Sequence, residues 1–170
     1  MTVAEKAAVT QMPANVDFYE AAPISEGAFY ALNIIKAANI IPGQEVLVNG
    51  ATGAIGSAAV QLLKYYGAQV TAVCNTKNVE RVKSLGADFV IDYQTQDFTH
   101  TTTRFSFIMD AVGKSSFGAC KPLLTDKGIY ISTELGKCGE NIFLALITPL
   151  LGGKKVLFPI PAIKKEDIIF

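Results

Sequence analysis

Val46-Leu-Val-Asn-Gly50-Ala-Thr-Gly53-Ala-Ile-Gly56-Ser-Ala-Ala-Val60 runs from a short apolar segment through three spaced glycines into a stretch with helical periodicity. At this spacing each glycine has its own task. Gly50 can turn the chain sharply, Gly53 lets the backbone approach a pyrophosphate, and Gly56 lets the helix pack closely on the sheet. The helix that follows would aim free N–H groups and the positive end of its dipole at the phosphates. Lying between a strand and a helix, the glycines predict a dinucleotide-binding turn within a βαβ unit.

Outward from this turn, short apolar runs alternate with helical stretches, the rhythm of a parallel sheet with helices packed on it. Strands are expected at Val46-Leu-Val48, Val70-Thr-Ala-Val73, Phe89-Val-Ile91, Phe105-Ser-Phe-Ile-Met109, Ile129-Tyr-Ile131 and Val156-Leu-Phe158. Their nearly continuous hydrophobicity suggests cover on both faces. Ile55, Ala59, Leu62 and Tyr66 share a helical face that Gly67 closes with a left-handed cap. Val79, Val82 and Leu85 mark a short helix ended by Gly86. Ser115 or Ser116 can cap a helix carrying Phe117, Cys120 and Leu124, with Gly128 ending it. Upstream, Ser25 can cap a helix whose face holds Ala28, Leu32, Ile35 and Ala38, before Pro42-Gly43 turns the chain into the first strand. The polar run from Gln94 to Arg104 reads as a surface loop. The fold class is therefore α/β: a Rossmann-type, doubly wound parallel sheet of six strands in the order 3-2-1-4-5-6, with helices on both faces.

About twenty residues beyond the turn, an NAD enzyme places an acid against the ribose 2′-hydroxyl. Here the second strand ends Val73-Cys74-Asn75-Thr76-Lys77, with Cys74 where the acid would stand, two neutral hydrogen-bonding residues and then a cation. An uncharged pocket beside Lys77 suits the 2′-phosphate of NADPH, so NADPH is expected in preference to NADH.

Composition excludes several other functions. Lys and Arg together number 15 and so do Asp and Glu, which removes the basic footprint of a nucleic-acid or membrane-surface binder. Cys74, Cys120 and Cys138 form neither a CxxC pair nor a disulfide framework, and read as buried thiols in a reducing cytoplasm. With His100 as the single histidine and no clustered Cys, no metal site is expected. The opening residues lack the pattern of a secretory signal, and the apolar run Ile142 to Leu151, broken by Pro149, is about half a membrane span. Both ends read as truncated. Residues 1–16 are expected to be a lead-in from an absent catalytic domain, and residues 17–170 the binding domain, stopping just after a helix begins at Lys164-Lys-Glu-Asp-Ile168.

A wider set of segments resembles the medium-chain dehydrogenase/reductase superfamily, and within it the zinc-independent quinone oxidoreductase branch. They are Ala21-Ala-Pro-Ile24, Ile41-Pro-Gly-Gln-Glu-Val-Leu-Val48, the glycine turn, Ala59-Val-Gln-Leu62, Leu85-Gly-Ala-Asp88, Val90-Ile-Asp-Tyr93 and Asp110-Ala-Val-Gly113, in the family's order. The resemblance implies that Thr52, Gly53, Ala54 and Ile55 surround the pyrophosphate. It puts Asn75, Thr76, Lys77 and Tyr93 near the adenosine phosphate, although Tyr93 could equally be an aromatic packing at a strand end. Ala111, Val112 and Gly113 would lie beside the adenine or ribose, and Ser132, Thr133 and Glu134 would pass near the nicotinamide half.

The same resemblance implies an intact enzyme that moves hydride from NADPH to a quinone or conjugated enone. Much of its substrate cleft would be supplied by a separate barrel-like domain that this sequence lacks. No catalytic acid or base is assigned to His100, Asp110 or Lys114, and the chain alone is expected to be inactive. A homodimer is expected through the edge strand from Val156 to Ile160, where Pro159 and Pro161 cannot donate ladder hydrogen bonds. A zinc-dependent alcohol dehydrogenase and a non-enzymatic dinucleotide sensor are the alternatives. A short-chain dehydrogenase is not, because none of the six tyrosines has a lysine four residues later.

Overall fold

Six strands, β1 (Glu45–Asn49), β2 (Gln69–Cys74), β3 (Phe89–Asp92), β4 (Phe105–Asp110), β5 (Leu124–Ser132) and β6 (Lys155–Leu157), form one sheet in the order β3-β2-β1-β4-β5-β6. Every pairing is parallel. The coordinates are a computed structural model describing residues 11–161 and Asp167, without the side chains of residues 20 and 23–25.

Side chains leave a strand alternately to its two faces, and both faces of this sheet are covered. Val46 and Val48 of β1 enter one apolar layer and Leu47 the other, none with exposed surface. That is why the strands read as nearly continuous apolar runs. The first layer lies beneath α1 (Phe18–Ala38), α2 (Ala54–Tyr65) and α3 (Val79–Ser84). The second lies beneath α4 (Phe117–Cys120) and α5 (Glu140–Leu151). Right-handed crossovers require this division, because the chain winds outward from β1 to β3 and then outward the other way from β4 to β6. α1 presses on the start of α2, since a Cβ on Gly27 would lie 2.9 Å from the Ala54 carbonyl.

Several expected boundaries shift. α1 begins at Phe18, so the Ser25 backbone is mid-helix rather than at a cap, and the Ser25 side chain lies outside the described residues. The first ten residues and, apart from Asp167, the helix expected at 164–168 lie outside them too. α3 ends at Ser84, one residue before Leu85, with Gly86 beyond it at φ +104°. Of the two serines, Ser116 caps α4, its hydroxyl accepting from the Ala119 N–H at 3.3 Å.

Leu124 is not on that helix. It opens β5 opposite Phe105, and Gly128 lies within the strand rather than ending a helix. A register shift beside Phe105 lets the polar residues 125–127 bulge outward exposed, and this is what disguised the strand. β6 lies one residue earlier than the expected Val156–Phe158 and stops short of the edge segment expected to reach Ile160, with residues 158–161 outside the sheet, because Pro159 and Pro161 cannot extend the ladder. Cys138 is exposed, contrary to the expectation of three buried thiols, because it stands on a turn between β5 and α5 rather than in the sheet layers.

Candidate functional site

The strand order reverses between β1 and β4, and at such a switch point the adjoining loops part at the carboxyl ends of the strands. A cleft of about 870 Å³ opens there. Asn49, Gly50 and Thr52 line it from the glycine turn, Val73 and Cys74 from the end of β2, and Val112 and Lys114 from the loop after β4. Residues 93–98 close it from beyond β3.

The turn leaves no room for a side chain at two of its three glycines. Gly50 takes φ +84°, and a Cβ there would fall 2.2 Å from Val112 Cγ1. A Cβ on Gly56 would fall 2.1 Å from the Gly50 carbonyl oxygen, so helix and turn touch backbone to backbone. Gly53 is the opposite case: nothing lies nearer than 3.8 Å to a Cβ built there. It is the N-cap of α2, and no side chain caps the helix. The first N–H groups of a helix have no intrahelical acceptor, and here they lack a capping side chain as well. This combination can take a phosphate.

The expected site residues divide among neighbouring surfaces. Thr52, Tyr93 and Val112 line the cleft, while Gly53 and Ala54 form the tip of the turn and the start of α2. Ile55 and Ala111 line a separate hollow of about 360 Å³ that reaches Ser132, Thr133 and Glu134. Gly113 belongs to a third, shallower surface. Asn75, Thr76 and Lys77 do not line the cleft. They follow the cleft-lining Cys74, with Asn75 capping a single 3-10 turn that holds the other two. Tyr93 is 56% exposed, so it is not buried by packing on the third strand. Among the described residues Lys77 forms no ion pair.

Two features escaped the sequence reading. The acid absent from β2 is present one strand over, because the β2–β3 register sets Asp92 opposite Cys74. Asp92 accepts from the Thr76 hydroxyl at 2.6 Å and the Gln94 N–H at 3.0 Å, so it ties Thr76, just beyond β2, to the loop that follows β3. Burial, and then the Asp92 charge, push the Cys74 thiol above its ordinary range, keeping it neutral. The second feature is the polar run after β3, read as a bare surface loop, which forms a cleft wall. There the Thr99 N–H and then its hydroxyl hold Asp97 below the usual carboxylate range. The Asp92 signal was Asp92-Tyr93 at a strand end, but its partner could be known only from strand pairing. Among the described residues no three His, Cys, Asp or Glu side chains are grouped to hold a metal ion. None of their helices is long and apolar enough to cross a membrane.

Comparison with known proteins agrees with this geometry. Residues 54–155 match the zinc-binding dehydrogenase family. A 2-methylene-furan-3-one reductase of Solanum lycopersicum is 36% identical over 115 residues, which is 66% of this chain and 30% of that protein. A chloroplastic quinone oxidoreductase of Triphysaria versicolor is 46% identical over 140 residues, 80% of this chain and 41% of its own length. The chain thus spans well under half of these relatives. Among solved structures, the quinone oxidoreductase from Coxiella burnetii superposes with a TM-score of 0.83 at 24% identity, covering 94% of this chain and 50% of that one. The Thermus thermophilus quinone oxidoreductase, solved also as a complex with NADPH, gives 0.69 at 24% identity over 88% of this chain and 48% of its own. At these identities the structures establish the shared fold.

Proposed function

The chain belongs to the zinc-binding dehydrogenase family, within the medium-chain dehydrogenase/reductase superfamily, and from that premise we propose that it is the NADPH-binding domain of an oxidoreductase acting on a quinone or conjugated enone. One observation carries the reading. At the switch point, the turn admits no Cβ at Gly50 or Gly56 yet lies open at Gly53, before a helix that no side chain caps. That is the shape a pyrophosphate needs.

In this reading Thr52, Gly53, Ala54 and Ile55 hold the pyrophosphate. Asn75, Thr76, Lys77 and Tyr93 meet the adenosine phosphate, and Ala111, Val112 and Gly113 border the adenine or ribose. NADPH, when bound, supplies a hydride. The domain's part is binding, orientation and the exclusion of water. Among the described residues nothing fits the zinc ion of the family description, since no three candidate ligands cluster. Residues 17–170 are proposed as the binding domain. The proposed compartment is the cytoplasm, on the free thiols of Cys74, Cys120 and Cys138. A homodimer is proposed through the open edge of β6, flanked by the exposed apolar side chains of α5.

Titration calorimetry with both cofactors tests the assignment. NADPH should bind more tightly than NADH, and Lys77→Ala should shrink the margin. A charge-assisted hydrogen bond contributes about 1.5–3 kcal/mol. The exposure of Lys77 places the expectation at the lower end, about tenfold. Equal affinities, or an unchanged preference in the variant, would remove the case for a 2′-phosphate site. The chain alone should not sustain NADPH oxidation by a quinone, because bound hydride donor without an oriented acceptor has no proximity advantage.

A further inference from the structure

A second carboxylate lies at the switch point, wholly buried at the end of β4, and the cofactor assignment above gives it no task. Asp110 is level with Asn49 of β1 on one side and Ser132 of β5 on the other. One of its oxygens, Oδ1, accepts from Asn49 Nδ2 at 3.1 Å and from the Val112 N–H at 3.3 Å. The other, Oδ2, accepts from the Ser115 N–H at 2.9 Å and, longer, from the Tyr130 hydroxyl at 3.4 Å. No salt bridge among the described residues includes it. A buried carboxyl group is tolerated only where its oxygens find donors, and these four come from β1, β5 and the loop after β4.

Two of the four are backbone N–H groups, so the carboxylate dictates the path of the chain and not only side-chain packing. It curls residues 111–115 back over the strand end. Val112, held there by its N–H, stands with Cγ1 2.2 Å from where a Gly50 Cβ would be, and Lys114 on the same curl faces the cleft. Val112 remains 39% exposed, so the Asp110 bond and the Gly50 contact hold it in place rather than enclosure on all sides. Burial, and then the Asp110 charge, push the Tyr130 hydroxyl far up, so it stays a donor. Burial chiefly pushes Cys120, beside Ser115, up to about 11.

We propose that Asp110 is a positioning residue for the dinucleotide, its four accepted hydrogen bonds setting the loop after β4 so that Val112 closes the cleft against the glycine turn. The proposal rests on the cofactor reading above and adds a residue that does not itself line the cleft. An asparagine at this position keeps the size and loses one acceptor oxygen. Asp110→Asn should weaken NADPH binding at least tenfold and speed amide hydrogen exchange at Val112 and Ser115 more than elsewhere in the sheet. Val112→Ala leaves the network intact and removes the wall, and should weaken binding about threefold while folding normally. Leu124→Ala, destabilising the far end of the sheet, should lower the melting temperature yet leave NADPH affinity within twofold.

Calorimetric titration of the whole chain and its three variants, with exchange measured by mass spectrometry, decides between outcomes. If the wild type has no NADPH affinity, the functional reading fails and this role fails with it. If the wild type binds and Asp110→Asn binds within twofold, or, should that variant not fold, Val112→Ala binds as the wild type does, the positioning role alone is overturned. Equal weakening by Leu124→Ala would also overturn it, because the effect would then be general loss of stability.

Discussion

α2 and α5 are both twelve residues long, and the more apolar of the two is the more exposed. α2 buries Gly56, Ala59, Val60 and Leu63, one stripe at spacings of three and four, with Ile55, Ala58 and Leu62 partly buried beside it. α5, Glu140-Asn-Ile-Phe-Leu-Ala-Leu-Ile-Thr-Pro-Leu-Leu151, is apolar nearly all round, yet its buried residues are Asn141 and Thr148. Leu144 and Ala145 pack on the sheet, while Phe143, Leu146 and Leu150 are 63%, 69% and 84% exposed. Hydrophobicity alone does not decide burial. A helix beside one sheet can cover only one stripe, and a second apolar stripe needs a surface from elsewhere.

The largest expected effect tests how closely α2 is fitted. Gly56→Val would push a side chain into the Gly50 carbonyl, a backbone atom that cannot swing aside, whereas Gly53→Ala enters open space. Overpacking of this kind costs about 3 kcal/mol, a fall of roughly 6–12 °C in melting temperature for a domain this size. Calorimetry should show that fall for Gly56→Val and almost none for Gly53→Ala. Similar melting for both would mean that α2 is not held by the close approach.

α5 calls for the opposite experiment. Charges at Leu146 and Leu150 should leave the fold within about 0.5 kcal/mol, as at other exposed positions. Sedimentation equilibrium should nevertheless show the doubly substituted Leu146→Glu, Leu150→Glu chain as a monomer where the wild type is a dimer. A wild type that is monomeric at tens of micromolar, an order-of-magnitude choice for modest interfaces, would break the comparison on the α5 side. A variant that loses its fold would break it too, by showing that α5 is already covered.

The smallest effect concerns how α2 ends. Its last-turn Lys64 reaches Asp88 at 2.8 Å, and the same carboxylate accepts from the Val70 N–H at 2.7 Å. α5 has no basic residue in its last turn. Burial opposes ionisation of Asp88, but Lys64 and the Val70 N–H outweigh it and hold the carboxyl below its ordinary range. A depressed folded-state pKa stabilises the fold above the unfolded value, near pH 3.9, and that contribution is lost as pH falls through the folded value. With both side chains about a third exposed, the expected size is about 0.5–1 kcal/mol. Urea midpoints of Lys64→Met and wild type should therefore differ at pH 6 and converge near pH 2. A constant difference would assign Lys64 a packing role instead.

The strands were legible because a parallel strand covered on both faces must be apolar nearly throughout, as Val46 to Val48 and Phe107 to Met109 are. The start of β5 was not, since residues 125–127 bulge outward and carry the polarity of a loop. Nor was the full length of α1, where Ser25 imitates a cap in mid-helix. At the site, the glycines declared the turn, and Cys74-Asn75-Thr76-Lys77 declared an end to β2 without an acid. What Asp92 and Asp110 do could not be read in full, because Thr76 meets Asp92, and Asn49 and Tyr130 meet Asp110, only in three dimensions.

The sequence by itself determined the α/β rhythm, the glycine turn and the family resemblance, all carried by residues close together along the chain whose spacing is set by covalent geometry. Only the tertiary structure decided which acid faces which loop, that Val112 rests on Gly50, and that the most apolar helix keeps a bare face. Those depend on register, crossover direction and the area one sheet can cover, which no run of neighbouring residues records.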